Sequence, residues 1–337
     1  MININNITGK YQNIEVNGTL LKKGLRECDE RWKMIKPHIK PNSSVIDIGS
    51  FHGYFGIKIC REIKNTTVLS IESRRRWAEE QKQIVEMNKL MNLAVSNHTF
   101  SLRDLEWLDL VVEGIDYFVM LSSLEYFPKK EVEKILEYIS RICPNLIVEF
   151  PDRNETRAAG QEVIQYLYPL EEHLKKYFSK VQVIGEPVSA TDKNLVRKIY
   201  LAENSFLHRT LLYSSKDHVK SRKHILRYEN GQWEIEETIK QKRKWIKQKK
   251  EWISGFNLHN LLKFNIIYPT KSWFLENARN EYLRVFNEFK GISDISLKNL
   301  LFTTKGLEAI DYLENKKIDN LDKFEEAFKR FITNAIK

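Results

Sequence analysis

With 337 residues, 42% of them hydrophobic, the chain suits one large domain or two ordinary ones with a real core. Its formal charge of +10 fits an anionic partner such as RNA, an anionic glycan or lipid, or a membrane surface, and charge alone does not choose among these. The start Met1-Ile2-Asn3-Ile4-Asn5-Asn6 lacks the pattern of a secretory leader, and no apolar run is long enough to cross a bilayer. The three cysteines, Cys28, Cys60 and Cys143, are too widely spaced for a disulfide framework or a metal site. The expectation is a reduced, cytoplasmic protein that holds no metal.

In chain order, Asn17-Gly18 signals a hairpin turn within 11–25, and a helix is expected over 27–38, stopping near Pro41. Strand–helix alternation then begins. Strands are expected at 44–48, 67–72, near 95–101, at 116–121 and at 145–150, with helices over 53–63, 74–91, 129–141 and 160–178. Two more apolar runs, 181–184 and 196–201, are joined by a loop too short for a crossover helix, so they should pair antiparallel.

The densest signal is Val45-Ile46-Asp47-Ile48-Gly49-Ser50-Phe51-His52-Gly53, followed by the run Val68-Leu69-Ser70-Ile71-Glu72. An apolar strand ends in an acid, turns on glycine and enters a helix; a second strand also ends in an acid. This is the wiring of a nucleotide-binding βαβ unit, with Glu72 where a carboxylate can accept both ribose hydroxyls. Phe51 stands where a dinucleotide fingerprint has its middle glycine.

The motif, together with the closing hairpin, resembles the class I methyltransferases that depend on S-adenosylmethionine (SAM). The resemblance covers roughly residues 25–203. It implies an α/β, Rossmann-like sheet with a C-terminal antiparallel hairpin. It also implies a cofactor site in which Asp47, Gly49, Ser50 and Gly53 hold the amino-acid part of SAM and Glu72 takes the ribose. Asp104 would meet the adenine or instead cap a helix before Leu105, and Leu121 and Ser122 would lie near the sulfonium and adenine. Arg74-Arg75-Arg76 either reach an anionic acceptor or form the solvated start of a helix.

A hydroxyl acceptor also needs a base. Glu125, Glu149 and Asp152 are the candidates, with Tyr126, Arg153 and His52 nearby in sequence. Ser122-Ser123-Leu124-Glu125-Tyr126-Phe127-Pro128 stands where the family has its fourth motif. It is not the N/D-P-P-Y/F sequence of amino-group methylating enzymes.

Composition changes after about residue 204. A hairpin is expected at 224–235, turning on Asn230-Gly231, and a long helix after it. Ile239, Ile246 and Ile253 recur every seven residues, with Trp245 and Trp252 beside them, as in a coiled-coil seam. The other face carries Lys240, Lys242, Arg243, Lys244, Lys247, Lys249 and Lys250. Three readings stay open: the seam packs on the body or on a second copy, the helix lies on an anionic membrane surface, or it contacts RNA phosphates.

Asp294, Asn299 and Asp311 have the spacing of the catalytic loop and metal-binding aspartate of protein-kinase-like and aminoglycoside-type phosphotransferases, which they resemble. Ile292 and Leu313 depart from that pattern, and no glycine-rich phosphate loop precedes it. An active kinase, a reduced kinase-like lobe and coincidence all remain open. The domain order is similar to that of bacterial enzymes that join a methyltransferase to a kinase on O-antigen polysaccharide.

The expectation is therefore two domains: residues 1–204, a SAM-dependent methyltransferase, and 205–337, a mainly helical accessory domain. The leading function is O-methylation of a glycan or small hydroxylated acceptor. An RNA methyltransferase that clamps its substrate with 240–250 and a non-catalytic scaffold built on the heptad helix are the alternatives.

Overall fold

The computed structural model describes Ile7 and residues 11–99, 101–105, 114–156 and 158–205. Beyond these it describes 211–213, 216–217, 220–229, 232–241, 244–251, 255–257, 271–292, 295–296, 300–303, 306–309 and 318–336. A short hairpin, β1 (Ile14–Val16) and β2 (Thr19–Lys22), turns on Asn17 and Gly18, both at positive φ. Helix α1 (Cys28–Ile35) continues into a 3-10 turn at Lys36–His38. Then come β3 (Ser44–Ile48), α2 (Tyr54–Glu62), β4 (Thr67–Glu72), α3 (Arg75–Met87), β5 (Leu93–Asn97), α4 (Leu102–Leu105) and β6 (Tyr117–Leu121). They are followed by α5 (Val132–Ile142), β7 (Asn145–Phe150), α6 (Gln161–Leu167), α7 (Leu170–Leu174), β8 (Phe178–Gly185) and β9 (Lys198–Ser205). The single helix expected over 160–178 is two short ones, because Pro169 has no N–H to continue the first.

Seven strands form one sheet in the order β5-β4-β3-β6-β7-β9-β8. The first five are parallel, and β9 runs antiparallel to both β7 and β8. Successive residues on a strand face opposite ways, so each central strand must be apolar on both sides. Val45, Val68, Val119 and Ile147 pack on one face with Trp32 and Ile35 of α1 and Ile57 and Ile59 of α2. Ile46, Leu69, Phe118 and Leu146 pack on the other with Ile135, Leu136 and Ile139 of α5. Each such side chain, fully buried, contributes about 1.5–3 kcal/mol. The result is a three-layer, Rossmann-like α/β arrangement. The strand order reverses at β3, and a crevice opens beyond its carboxyl end.

The C-terminal part corrects the expectation of a mainly helical domain. β10 (Leu211–Tyr213), β11 (Lys216–Asp217), β12 (Lys220–Glu229), β13 (Gln232–Gln241) and β14 (Lys244–Glu251) form an antiparallel sheet. β15 (Gly255–Asn257) follows, then α8 (Lys271–Phe289), β16 (Leu300–Thr303), β17 (Gly306–Ala309) and α9 (Leu321–Ile336). The heptad helix does not exist. Ile239 and Ile246 lie directly opposite each other in the β13–β14 ladder, so their spacing of seven is the geometry of a hairpin. The helix expected to carry the basic face and the dimer seam is, over its described residues, the strand pair β13–β14. Ile253 lies outside the described residues. Apolar residues of α8 and α9, among them Ala278, Tyr282, Phe324 and Phe328, join the same apolar cluster as α5. Among the described residues, no helix is long and apolar enough to cross a membrane.

Candidate ligand-binding cleft

The crevice at the switch point is a cleft of about 660 Å³. It is lined by Gly49 and Phe51 after β3, Glu72, Ser73, Arg74 and Trp77 after β4, and Leu121, Ser122, Ser123 and Tyr126 after β6. Tyr11, Leu25 and Arg26 come from the N-terminal segment. The volume is that of a small-molecule site.

The turn after β3 is built tightly. Gly49, Phe51 and Gly53 all sit at positive φ (75°, 53° and 77°), a conformation that favours glycine at two of the three positions. A Cβ on Gly53 would come within 2.3 Å of Gln81 Nε2. The Ser50 hydroxyl donates to Gln81 Oε1 at 2.8 Å, so it serves the turn itself. His52 is buried, bonded through Nε2 to Glu80 (2.7 Å), and burial holds its pKa below the usual value. It braces the turn against α3.

Glu72 joins the two halves of the βαβ unit. Its Oε2 accepts the Phe51 N–H at 2.9 Å and its Oε1 accepts the Arg74 N–H at 2.8 Å. Oε1 also accepts from the Ser73 hydroxyl at 3.4 Å; a carboxylate has about four acceptor sites, so Oε2 keeps capacity for a further donor in the cleft. Burial raises its pKa, against the two backbone N–H groups that favour the charge. Asp47 lies below. Burial pushes its pKa up to about 7, helped by the nearby Glu72 and opposed by Arg26. Its Oδ2 is buried without a hydrogen-bond partner among the described residues. Such an orphaned acceptor costs free energy until a donor arrives.

Because burial raises the folded pKa of Asp47 above its ordinary value of 3.8, its contribution to stability is complete below 3.8 and is lost as pH rises through about 7. Asp47→Asn should therefore lose less stability than the parent as pH rises over this window, measured as thermal midpoints. Parallel curves would mean that Asp47 does not carry the shift.

One wall is aromatic. Phe51 meets Trp77 edge-on at 4.3 Å between ring centroids and Tyr11 at 5.7 Å, and the Arg74 guanidinium lies 4.2 Å over the Trp77 ring. Arg74 thus leans on the cleft wall, whereas Arg75 is exposed and pairs with Glu79, as a solvated helix start would.

The other wall rests on a buried ion cluster. Glu149 is 0% exposed. It accepts from Arg26 Nη2, from Arg31 Nε at 2.9 Å and from the Ser122 hydroxyl at 3.0 Å. Burial would raise its pKa, but the two arginines outweigh that and hold it at about 2. Arg26 also donates to the Leu121 carbonyl (3.3 Å), while its own Nε has no partner among the described residues. Ser122, at φ 62°, is held in this position by Arg26 and Glu149 together.

Of the residues singled out from sequence, Gly49, Glu72, Leu121 and Ser122 line the cleft. Asp47, in β3, and Ser50 and Gly53, in the turn after it, lie beneath the cleft. Asp104 lies inside α4, which begins at Leu102, so it is not the cap of that helix; its side chain is outside the described residues. The three candidate bases separate. Glu149 is locked between two arginines. Asp152 accepts the Asn154 N–H at 2.8 Å in a local turn and does not line the cleft. Glu125 sits in the 3-10 turn Leu124–Tyr126, behind the cleft residues Ser123 and Tyr126 and not in the lining itself. It is 2% exposed, and burial raises its pKa to about 7 against the pull of Arg197. Asp294, Asn299 and Asp311 lie outside the described residues. Among those described, no cluster of three metal-ligating side chains exists.

Tyr11, Arg26 and Trp77 were not foreseen as cleft residues. Arg31 did leave a signal. It falls on the stripe of α1 that Cys28, Trp32 and Ile35 bury, and an arginine there demands a buried acid.

No protein-family model and no curated protein matches the chain. Among solved structures, it is similar to a crystal structure of WbdD (14% identity, 98% of this chain and 85% of that one, TM-score 0.48). It is also similar to a structure of "the bifunctional kinase-methyltransferase WbdD" (13% identity, 98% and 86%, TM-score 0.48). A third is the N-terminal domain of EvdMO1 with SAH bound (14% identity, 58% and 91%, TM-score 0.41). Likeness this distant leaves the functional reading to the cleft itself.

Proposed function

We propose that the cleft binds S-adenosylmethionine and that the chain transfers its methyl group to an oxygen of a glycan or another small hydroxylated acceptor. The observation that carries this is Glu72: a carboxylate at the end of β4, pinned by the N–H groups of Phe51 and Arg74, with acceptor capacity left beside a glycine turn. A ribose diol needs such a group. The orphaned Asp47 Oδ2 suits an ammonium group, and the unpartnered Arg26 Nε suits a carboxylate, so the two ends of an amino acid are both answered. Phe51, Trp77 and Leu121 supply apolar surface for a base.

When bound, S-adenosylmethionine supplies a methyl group on a sulfonium, so an O–C bond forms as the S–C bond breaks and the acceptor hydroxyl gives up its proton. Glu125 is the group we assign to receive that proton. Its affinity near pH 7 suits a general base, and its Oε2 carries no hydrogen bond among the described residues. Glu149 positions Arg26 and Ser122 instead, and Tyr126, 57% exposed, forms the rim that an acceptor would pass.

The division into a methyltransferase unit, 1–204, and an accessory unit, 205–337, is part of the proposal. A reduced kinase-like lobe in the second unit is supported by the β16–β17 hairpin, which falls between positions 299 and 311 as that resemblance requires.

Calorimetric titration with S-adenosylhomocysteine, after any co-purified ligand is stripped, tests the cofactor. Binding is expected near neutral pH, with proton release that Asp47→Asn reduces, because the ligand's ammonium group favours the ionised Asp47. No binding would overturn the proposal.

A further inference from the structure

Behind the acceptor wall, the 186–197 loop folds back between β8 and β9. Val188 bridges Val196, and the Ser189 N–H donates to the Leu195 carbonyl at 2.9 Å. Two buried arginines hold it. Arg31, already bound to Glu149, donates through Nη2 to the Val188 carbonyl at 2.9 Å. Arg197 lies just before β9, where Lys198 pairs with Phe150 at the end of β7.

Arg197 serves two acids unequally. Its Nε reaches Glu155 Oε2 at 2.9 Å and its Nη2 reaches Oε1 at 2.6 Å, whereas its Nη1 stands 3.5 Å from Glu125 Oε1. Glu155 is further supplied by the hydroxyls of Ser189 (2.6 Å) and Thr191. Glu125 has no such hydroxyls: its Oε2 is buried and unpartnered among the described residues. Its backbone cannot drift, because Gly160 packs so closely on the Glu125 carbonyl that a Cβ there would come within 1.9 Å. The charged and titratable groups around the Glu125 carboxyl are Arg197 from the loop, Glu149 from β7, Arg26 from the segment before α1, and Tyr126 from its own turn.

We propose that Arg197 is a positioning residue for Glu125: it divides its guanidinium between Glu155 and Glu125, and so couples the 186–197 loop to the wall formed by Ser122, Ser123 and Tyr126. Its use in the reaction rests on the reading of Glu125 as the proton acceptor. Arginine suits the task because its planar fork stays charged and can address two acids at once. Glu155, with its two hydroxyl donors, decides how much of that charge is left for Glu125.

Two substitutions should then move Glu125 in opposite directions. Lysine at 197 keeps a charge but loses the fork, so Glu125 is answered less. Glutamine at 155 keeps the shape and the hydroxyl bonds but removes the competing charge, so Glu125 is answered more. A residue that only held the loop in place would loosen Glu125 alike in both variants.

The test is an infrared titration of the full chain, following the C=O band of a protonated buried carboxyl group, with Glu125→Gln identifying the band. The parent midpoint is expected near about 7. Arg197→Lys should raise it by about 1–3 units, and Glu155→Gln should lower it by about 1 unit. Shifts in the same direction, or none, would overturn the inference; should Arg197→Lys not fold, the direction in Glu155→Gln decides. Calorimetry with S-adenosylhomocysteine on the same samples keeps the two ideas apart. If the parent fails to bind, the methyltransferase reading falls, whether or not Arg197 and Glu125 are coupled. If it binds while the infrared midpoints stay put, only the positioning role falls.

Discussion

Gly49→Arg is expected to weaken binding of S-adenosylhomocysteine by about 100-fold or more and to leave the α/β/α body folded. Gly49 lines the cleft at the end of β3, and its N–H is fixed to the Ile71 carbonyl at 2.8 Å. The added side chain projects from a backbone at φ 75°, where a non-glycine residue costs about 1–2 kcal/mol. That strain lowers the thermal midpoint modestly. The larger effect is steric and electrostatic: a long cation would occupy a cleft that already holds Arg26 and Arg74. Calorimetry measures the affinity, and circular dichroism on heating measures the fold. A folded variant that bound the ligand like the parent would show that this cleft is not the cofactor site.

Glu149→Ala destabilises the fold by about 3–5 kcal/mol, because it leaves the buried Arg26 and Arg31 without the acid they share. Asp152→Ala, by contrast, removes a half-exposed turn acid and stays within about 1 kcal/mol. The pH dependence has a definite sign. The folded pKa of Glu149, about 2, lies below its ordinary value of 4.5, so its stabilisation is present above 4.5 and is lost as pH falls through about 2. Glu149→Gln should flatten that acid limb. Chemical denaturation across this range gives both numbers. A Glu149→Ala protein as stable as the parent, deficient only in methyl transfer, would return Glu149 to the role of base.

The βαβ unit was legible in the residues because its signals are local. The run from Val45 to Gly53 carries strand, turn and helix entry in nine positions, and Glu72 ends the next strand in the same way. The closing hairpin was legible for a similar reason: the chain between its two strands is too short for a crossover, and β8 and β9 do pair antiparallel. Hydrophobic period and turn chemistry act over a few residues, so they survive without a fold around them.

The spacing of Ile239 and Ile246 shows where such local signals stop. Seven residues separate an a position from the next in a coiled coil, and they also separate partners across a hairpin whose ladder closes at Gln241 and Lys244. The pattern is the same in both; pairing of β13 with β12 on its other edge selects the strand.

The roles of the three candidate acids were likewise beyond local reading. Glu149 becomes a clamp because Arg26 and Arg31, more than a hundred positions earlier, meet it in the core. The Glu125 pKa rises to about 7 because burial removes water while Arg197 favours Glu155. The residues thus set the strands, the turn and the Glu72 carboxylate at the cleft, through chemistry between near neighbours. Which acid is a clamp and which can take a proton follows from charge and solvent exclusion among groups far apart in the chain, and those exist once the layers have packed.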